Sequence, residues 1–537
     1  MSAEKSLTSS RKWLLILAVL PALIGVGLVL WLVFFGRENH FLACLKDDGF
    51  YYLVLAKNIA TGHGATFDGL GPTNGFHPLW TLCLTPFFVG DPESLFGPIR
   101  AMVVLALVLH LGAALAIRQA VLRFADSGVA TLTALLYAGN PLALYLVVSG
   151  MESPVVALIV ALLATASIRI QQGDLALDNV KNILAVGVLC GLCMLARTEM
   201  IMLVGLVLAQ AVFWPAPGLD QSFSARLRGG VAAGLTAVAV VAPWLAWNFW
   251  RFGTVVQVSA MAHNLHAESL HPSDPDGGLS GLVGLGSRLL AVNQGSLSQR
   301  LHIPVEAVVA VEVAVVAVIF WWLWAMLAPG DSRGRFLARL RWLAAPVLYA
   351  VGFIGAAFLI LGHFRSWYAA GPLTVAAVFV AVPLSWALAS HRSPRQGRLA
   401  SGLISIGYAM GMLVLGPVFL NEINYEFNVT NCWLEASEVV ANVAEPGERV
   451  ASFNSGTFGY LSPRQVVNLD CVVNNRALPF LAEHRLHEFV TENRIRFIVD
   501  DPAYIRRHFR AYSEKGWDSY LTVVDTLPSG LVLFEVN

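Results

Sequence analysis

Two adjacent aspartates, Asp47 and Asp48, are the residues of this sequence best suited to chemistry. They follow the first long apolar segment by about a dozen residues and open an amphipathic stretch that ends at Gly62-His63-Gly64. Acidic side chains at a membrane surface are costly unless they have a function. A carboxylate in such a place can accept a proton from an attacking hydroxyl. The acidic pair therefore predicts general-base chemistry at the edge of a membrane.

A second group of polar residues lies far from this pair along the chain. Arginine offers phosphate a planar fork of N–H donors, which suits a substrate that is a lipid phosphate. The candidates for substrate contact are Asn74, His77, Glu152, Arg197, Glu199, Arg251, Arg365 and Tyr368.

Each of these candidates also has a purely structural interpretation. Aspartate is favoured at helix N-termini, where it caps backbone N–H groups. The Asn-Gly step at 74 and the His-Pro step at 77 fit a turn and a helix start. Arg197 and Glu199 can pair with each other across a tight hairpin, and Arg365 can reach toward lipid headgroups. Both interpretations stay open at the level of sequence.

The composition indicates a membrane protein. Of the 537 residues, 56% are hydrophobic and only 13% are charged, and the mean hydropathy is +0.65. A soluble domain has roughly 25% charged residues. The formal net charge of zero provides no basic surface for nucleic acid. The sequence therefore predicts a polytopic membrane protein that does not bind nucleic acid.

Apolar segments long enough to cross a bilayer set the predicted topology. A span needs about 20 apolar residues, and basic residues before the first span place the N-terminus in the cytoplasm. The short segment 78–89 is interpreted as an interfacial helix within an external loop over 36–96, and a break at 197–199 makes a hairpin. The predicted spans, about eleven, are 13–35, 97–117, 128–148, 153–170, 182–197, 199–214, 230–250, 305–328, 342–362, 369–390 and 400–420. This topology gathers the candidate residues on the outer face.

The composition changes after residue 420. Residues 421–537 have ordinary polar content, with alternating runs and helical patterns, and predict a small α/β domain. The membrane domain is thus predicted over 1–420, with the C-terminal domain outside the cytoplasm. Cys432 and Cys471, the only cysteines of this domain, leave two alternatives open there: a disulfide or two free thiols.

Three stretches of this sequence form distinctive motifs. The first is Asp47-Asp48-Gly-Phe-Tyr-Tyr, followed by Pro72-Thr-Asn-Gly-Phe-His-Pro-Leu-Trp80. The second is Ser149-Gly-Met-Glu152, at the place of a second acidic motif in oligosaccharyltransferase catalytic subunits, and the third runs from Pro243 to Gly253. Together these stretches resemble bacterial integral-membrane glycosyltransferases of the GT-C class, which also includes lipid A aminoarabinose transferases and protein O-mannosyltransferases. The resemblance covers most of the membrane part.

This resemblance implies a polyprenyl-phosphate-sugar donor, inversion at the anomeric carbon, and a glycan, lipid or protein acceptor outside the bacterial plasma membrane. It makes Asp47 the general base, while Asp48 orients the acceptor or a metal. Glu152 would help to bind a divalent ion, Mg or Mn, although many members of the class need none. His77 lies where aminoarabinose transferases have a lysine that faces the donor phosphate. Arg365 is the candidate for binding the phosphate leaving group, whose negative charge grows during transfer.

Two other functional classes compete with a hexosyl- or pentosyltransferase. A transporter or flippase of lipid-linked sugars would use the acids as an ion relay, and such acids usually lie near the bilayer midplane. The acids here are predicted in loops at one face, which favours the enzyme. An assembly scaffold that binds partners through the C-terminal domain predicts no effect of acid substitutions.

Overall fold

The structure of the protein is a computed structural model. It describes residues 2–42, 44–214, 221–270, 341–361, 366–389 and 428–537. The predicted spans 305–328 and 400–420 and the predicted domain boundary after residue 420 lie outside the described residues.

Helices make up the membrane part. They are α1 (Ser2–Phe35), α2 (Glu38–Leu42), α3 (Asp47–Ala60), α4 (Pro78–Leu84), α5 (Phe96–Leu122), α6 (Ser127–Ala138), α7 (Pro141–Val148), α8 (Ser153–Gln172), α9 (Val180–Ala196), α10 (Ile201–Phe213), α11 (Phe223–Phe252), α12 (Val258–Leu270), α13 (Ala344–Leu361) and α14 (Ala370–Ala389), with 3-10 turns at Thr85–Phe88, Thr198–Met200 and Ser366–Ala369. Among the described residues, four helices are long and apolar enough to cross a membrane, or up to five if the bent pair α6 and α7 forms one span. The count of about eleven spans stays a prediction.

Three local predictions are confirmed. The helix that begins with the acidic pair is α3, and its residues 49–56 are all buried. The short apolar segment after it forms α4 and the 3-10 turn Thr85–Phe88, with Pro78 at the first helical position. The long apolar stretch breaks between α9 and α10, because Arg197 has an extended backbone there.

The predicted span 128–148 is not one straight helix. α6 and α7 meet at an angle of 50°. A Cβ atom on Gly139 would lie 2.7 Å from the backbone nitrogen of Ala22, so only glycine allows α1 to approach this closely. Asn140 then caps the new helix by accepting a hydrogen bond from the backbone N–H of Ala143 at 3.1 Å.

α9 and α11 pack side by side through small residues. A Cβ atom on Gly187 would lie 2.4 Å from Cβ of Thr236, and one on Gly191 would lie 2.5 Å from Cβ of Val240. Small residues let helices in a membrane approach closely. Because both contacts advance in the same direction along the two chains, α9 and α11 run parallel.

The C-terminal domain is built on a five-stranded sheet. Its strands are β1 (Arg449–Ser452), β2 (Gln465–Asn468), β3 (Ile495–Asp500), β4 (Leu521–Thr526) and β5 (Val532–Val536), in the order β2-β1-β3-β5-β4. β1 pairs in parallel with β2 and β3, and β5 pairs antiparallel with β3 and β4. Its helices are α15 (428–443), α16 (Gly456–Leu461), α17 (Leu478–Ala482), α18 (Leu486–Glu492) and α19 (Pro502–Tyr512). The predicted small α/β fold is confirmed.

The two faces of this sheet separate the two cysteines of the domain. Val450 packs in one core cluster with Cys432 and α15, while the next residue, Ala451, packs in the cluster that contains Cys471 and α19. Neighbouring strand residues point to opposite faces. Both thiols are free, so the structure shows two unpaired thiols rather than the disulfide.

The C-terminal domain contacts the membrane part through α12 and the loop before α4. One ring nitrogen of His266 lies 2.6 Å from the hydroxyl of Tyr512, and the other lies 2.8 Å from the carbonyl oxygen of Asp470. A Cβ atom on Gly75 would lie 1.9 Å from the carbonyl oxygen of Val472. These close contacts hold the carboxyl end of β2 against the loop that follows α3.

Candidate functional site

The N-terminus of α3 packs directly on the turn formed by residues 149–152. A Cβ atom on Gly49 would lie 2.8 Å from the carbonyl oxygen of Ser149, which explains why glycine follows the acidic pair. The indole N–H of Trp80 donates to the carbonyl oxygen of Gly150 at 2.9 Å. Gly150 itself has a φ of +80°, a conformation that favours glycine. Segments from three distant parts of the sequence thus meet at one point.

Asp47 is held by the C-terminal domain. Its Oδ2 accepts the backbone N–H of Gly456 at 3.1 Å, and its Oδ1 accepts that of Thr457 at 2.7 Å. Burial raises the pKa of the Asp47 carboxyl above its usual value, and these N–H groups and the hydroxyl of Tyr51 act in the opposite direction. A carboxyl with a raised pKa is a better proton acceptor near neutral pH. Asp47 therefore has the electrostatic character of a general base, at a domain junction.

Asp48 faces a third acid that sequence reasoning missed. Asp48 is half-buried, and together with Asp47 it adds negative charge around Asp470, directly after β2. Burial, with a smaller contribution from these charges, raises the pKa of Asp470 to about 7. The position of Asp470 after an apolar strand was the available sequence signal, but only the packing of the domains brings it to the acidic pair.

A buried charge cluster lies beside the acidic pair. Glu152 is fully buried, and its two oxygens accept hydrogen bonds from Arg197 and from the hydroxyl of Tyr52, the latter at 2.8 Å. Arg197 also donates to Glu199, and its guanidinium lies 5.0 Å from the ring centroid of Tyr368. The structural alternative for Arg197 and Glu199, a mutual ion pair, is therefore present, and Glu152 and Tyr368 join it.

His77 lies next to this cluster. It interacts electrostatically with Glu152, Arg197 and Glu199. Burial lowers the pKa of its imidazole, so the ring is neutral near neutral pH. Its Nδ1 atom is buried and finds no hydrogen-bond partner within the described part of the chain. That His77 faces the donor phosphate stays a prediction.

The side chain of Asn74 lies where the loop before α4 contacts two other segments of the chain. Its side-chain N–H donates to the carbonyl oxygen of Val256 at 3.2 Å. Its side-chain oxygen accepts from the backbone N–H of Val258 at 2.9 Å and from the amide of Asn475 at 3.0 Å. The side chain is fully buried. These contacts tie three segments together, and substrate contact by Asn74 stays a prediction.

Two predicted arginines remain to be accounted for. Arg365 lies outside the described residues, and Arg251 is exposed in the last turn of α11. Sequence reasoning also missed Lys46, which is 8% exposed. Its ammonium lies 5.5 Å from the ring centroid of Tyr145 and 6.0 Å from that of Trp367. Its position directly before the acidic pair was the signal that would have found it.

Of the two residues named for a divalent metal, Asp48 and Glu152, Glu152 is already engaged, and metal binding stays a prediction. Mg and Mn prefer several oxygen ligands. Both oxygens of Glu152 already accept hydrogen bonds from Arg197 and Tyr52. Within the described ranges, no three His, Cys, Asp or Glu side chains are grouped so as to hold a metal ion.

Comparison with known proteins shows the fold. The family model of a domain of unknown function, DUF8728, matches residues 420–529, and no curated protein matches the sequence. The oligosaccharyltransferase of Archaeoglobus fulgidus, tethered with an acceptor peptide containing the NVT sequon, matches 98% of this chain and 74% of its own at 12% identity and a TM-score of 0.54. The same archaeal protein, AglB, in complex with an inhibitory peptide and a dolichol-phosphate, matches 98% and 74% at 13% identity and a TM-score of 0.53.

A bacterial structure is similar over a larger share of its own length. ArnT from Cupriavidus metallidurans, bound to undecaprenyl phosphate, matches 95% of this chain and 97% of its own, at 14% identity and a TM-score of 0.48. The likeness to the archaeal oligosaccharyltransferase establishes that the chain has a fold of the GT-C class, as its sequence motifs predicted. With this fold and its long apolar helices, the chain is an integral membrane protein.

Proposed function

We propose that the protein is an inverting glycosyltransferase that moves a sugar from a polyprenyl-phosphate donor to an acceptor hydroxyl. The observation that carries the proposal is the convergence of the acidic pair, the 149–152 turn and residues 456–457 at the N-terminus of α3. The archaeal protein of the same fold binds a dolichol-phosphate and an acceptor peptide, which supports a lipid-linked donor and a separate acceptor.

In this proposal Asp47 is the general base and Asp48 orients the acceptor. The acceptor oxygen forms its bond to the anomeric carbon while the bond from that carbon to the phosphate oxygen breaks. The acceptor proton passes to the Asp47 carboxylate, and the polyprenyl phosphate leaves with the bonding electron pair. The raised pKa of Asp47 suits this proton transfer.

The leaving phosphate needs a positive charge other than Arg197. That guanidinium is already paired with Glu152 and Glu199. We assign this role to Arg365, as the sequence suggests, together with Lys46, which directly precedes the acidic pair. A cation at the place where negative charge grows stabilises the transition state.

The proposed setting is the outer face of a bacterial plasma membrane. In this topology the N-terminus is cytoplasmic, the C-terminal domain is extracytoplasmic, and the acceptor is an envelope glycan, lipid or protein. The transferred group is a hexose or a pentose. Because Glu152, one of the two residues named for a divalent ion, is engaged with Arg197 and Tyr52, the proposed displacement uses no metal.

The test is transfer by purified protein from undecaprenyl-phosphate sugars. We expect Asp47→Asn to abolish turnover and Asp48→Asn to lower it strongly. Asp174→Asn is the matched control, because Asp174 forms an exposed ion pair with Arg123 away from the acidic pair. Full turnover in both acidic-pair variants would end the mechanism. A scaffold predicts no transfer in any variant, and a flippase predicts lipid movement without a new glycosidic bond.

The position of the charges supports the enzyme over the flippase. Glu152 lies directly before α8, and Arg197 lies directly after α9. The charge cluster therefore occupies the ends of these helices rather than their middles. An ion relay of a transporter would usually place its acids near the middle of the bilayer.

A further inference from the structure

Three side chains have buried polar atoms without partners among the described residues, and one of them, Tyr349, interacts electrostatically with Arg197 and Glu199 directly after α9. These atoms are both amide atoms of Asn248, Nδ1 of His77 and the hydroxyl of Tyr349. Asn248 and Tyr349 are fully buried. A buried polar atom without a hydrogen bond costs about 1–3 kcal/mol. Native proteins satisfy nearly all such atoms, so this concentration of unpaired groups indicates that a ligand completes them.

The packing of α11 on α9 shows which part of α9 lies at the same level along the helix axes as Asn248. The parallel contact sets Val240 beside Gly191. Asn248 follows Val240 by about two helical turns and lies on the same buried face as Ala237 and Val241. It is therefore level with the segment directly after α9, which contains Glu199.

His77 approaches the same place from the loop before α4. The ring of Phe76, its neighbour, lies 5.1 Å from the ring of Trp244, one helical turn before Asn248. Gln257 joins the two segments, because it donates to the carbonyl oxygen of Phe76 at 2.7 Å and accepts from the hydroxyl of Thr198 at 3.0 Å. The loop, the turn after α9 and the end of α11 thus enclose one polar region.

The charges that the described residues place in this region disfavour an anionic ligand. Arg197 lies between Glu152 and Glu199, so the cluster carries one positive and two negative charges. A phosphate group placed here would meet net repulsion. A hydroxyl group is neutral and both donates and accepts. It therefore matches an amide, which has N–H donors and an oxygen acceptor, and a carboxylate, which accepts.

We propose that Asn248, His77 and Glu199 bind a sugar ring through its hydroxyl groups, and that Asn248 determines which sugar fits. The inference rests on the proposed function in one respect: the sugar is either the one on the lipid donor or the one on a glycan acceptor. A site that hydrogen-bonds substrate hydroxyls rejects an analogue that lacks them, because its buried polar groups are then left unpaired.

The experiment compares Asn248→Leu with the wild type in full-length protein. The probes are undecaprenyl phosphate alone, the same lipid carrying glucose, galactose, mannose or arabinose, and the corresponding methyl glycosides. We expect the variant to bind bare undecaprenyl phosphate normally and the preferred sugar probe about tenfold more weakly, the loss of one hydrogen-bonded group. Because the substitution removes unpaired polar atoms, the free variant should also have a higher Tm than the wild type.

Gln210→Leu is the matched control. Gln210 is also a buried amide, but it accepts from the hydroxyl of Ser167 at 2.9 Å and from the backbone N–H of Ala345 at 3.1 Å, and it donates to the carbonyl oxygen of Arg341 at 2.8 Å. We expect this variant to have a lower Tm and unchanged discrimination among the sugars. Asn248→Ala serves as a second variant if the leucine is not accommodated.

The outcomes separate the two proposals. Weaker binding of a sugar-linked lipid identifies the donor sugar as the ligand, and weaker binding of a methyl glycoside identifies the acceptor sugar. If Asn248→Leu and Asn248→Ala leave all sugar preferences unchanged, or if the wild type prefers no sugar probe, the inference is overturned. If the wild type binds methyl glycosides but no polyprenyl phosphate, the proposed function fails and the sugar site stands.

Discussion

The substitution Gly456→Ala tests whether the C-terminal domain positions the proposed base. A Cβ atom at this position would lie 2.1 Å from the carbonyl oxygen and 2.9 Å from Oδ2 of Asp47, whereas ordinary contacts begin at 3.4 Å. The loop and α3 must therefore separate by about 1 Å. Such a misplacement of a reacting group lowers the rate by about a hundredfold.

The same substitution should change the pH dependence of transfer. The N–H groups of Gly456 and Thr457 stabilise the charged form of Asp47 and lower its pKa. A hydrogen bond to a charged group contributes about 1.5–3 kcal/mol, which corresponds to about 1–2 pKa units. Losing one raises the pKa of Asp47, so the acidic limb of the rate profile should move to higher pH by that amount.

The assay measures transfer from an undecaprenyl-phosphate sugar as a function of pH. Gly205→Ala is the control, because Gly205 lies within α10, has an ordinary helical backbone, and a Cβ atom there would contact nothing within 4 Å. Thr457→Ser keeps the backbone and hydroxyl donors to Asp47 and should retain the wild-type profile. If a folded Gly456→Ala variant showed wild-type turnover and an unshifted acidic limb, the positioning argument would be refuted.

Three further predictions follow from the buried charges. Arg197→Met should lower the free energy of unfolding by about 3–5 kcal/mol, because it leaves the charge of Glu152 buried and without its ion-pair partner. Denaturation in micelles of Arg197→Met, Glu152→Gln and the double variant measures this loss, and additive effects of the two substitutions would contradict the prediction. Because the pKa of Asp470 is raised to about 7 in the folded protein, its contribution to stability is complete below about pH 4 and is lost as the pH rises through about 7. The Tm of Asp470→Asn, measured as a function of pH, should therefore exceed that of the wild type above neutral pH and differ little from it in acid. A Tm difference that does not depend on pH would rule this out. Chelation with EDTA should leave transfer unchanged, since Glu152 is engaged with Arg197 and Tyr52; activity that is lost on chelation and restored by Mn would show a metal requirement.

The sequence predicted local secondary structure correctly where the residues that determine it lie within one segment. The amphipathic pattern after Asp47 predicted α3, and the polar step at Arg197 predicted the break before α10. The bend between α6 and α7 was missed, because its cause is a contact of Gly139 with α1, a segment far away in the chain. Whether an apolar segment spans the membrane depends on its surroundings as well as on its composition, so the number of spans stays a prediction.

The candidate site likewise contains some residues that the sequence identified and others that it did not. Residue type and position identified the acidic pair, Glu152, Arg197 and Glu199, because charges are rare in so apolar a chain. Sequence did not reveal Asp470 or Asn248. An aspartate after a strand and an asparagine in an apolar helix are ordinary until their surroundings are known.

The sequence by itself determined the membrane character of the protein, the resemblance of its motifs to the GT-C class and the identity of its rare charged residues. Only the tertiary structure decided which of them meet. Folding brings the Asp47 carboxylate to the backbone N–H groups of residues 456 and 457, more than 400 positions away, from which it accepts hydrogen bonds. It also places Arg197 between two glutamates. The physical reason is that hydrophobicity is carried by each residue, whereas a hydrogen bond or a raised pKa depends on groups that folding alone brings together.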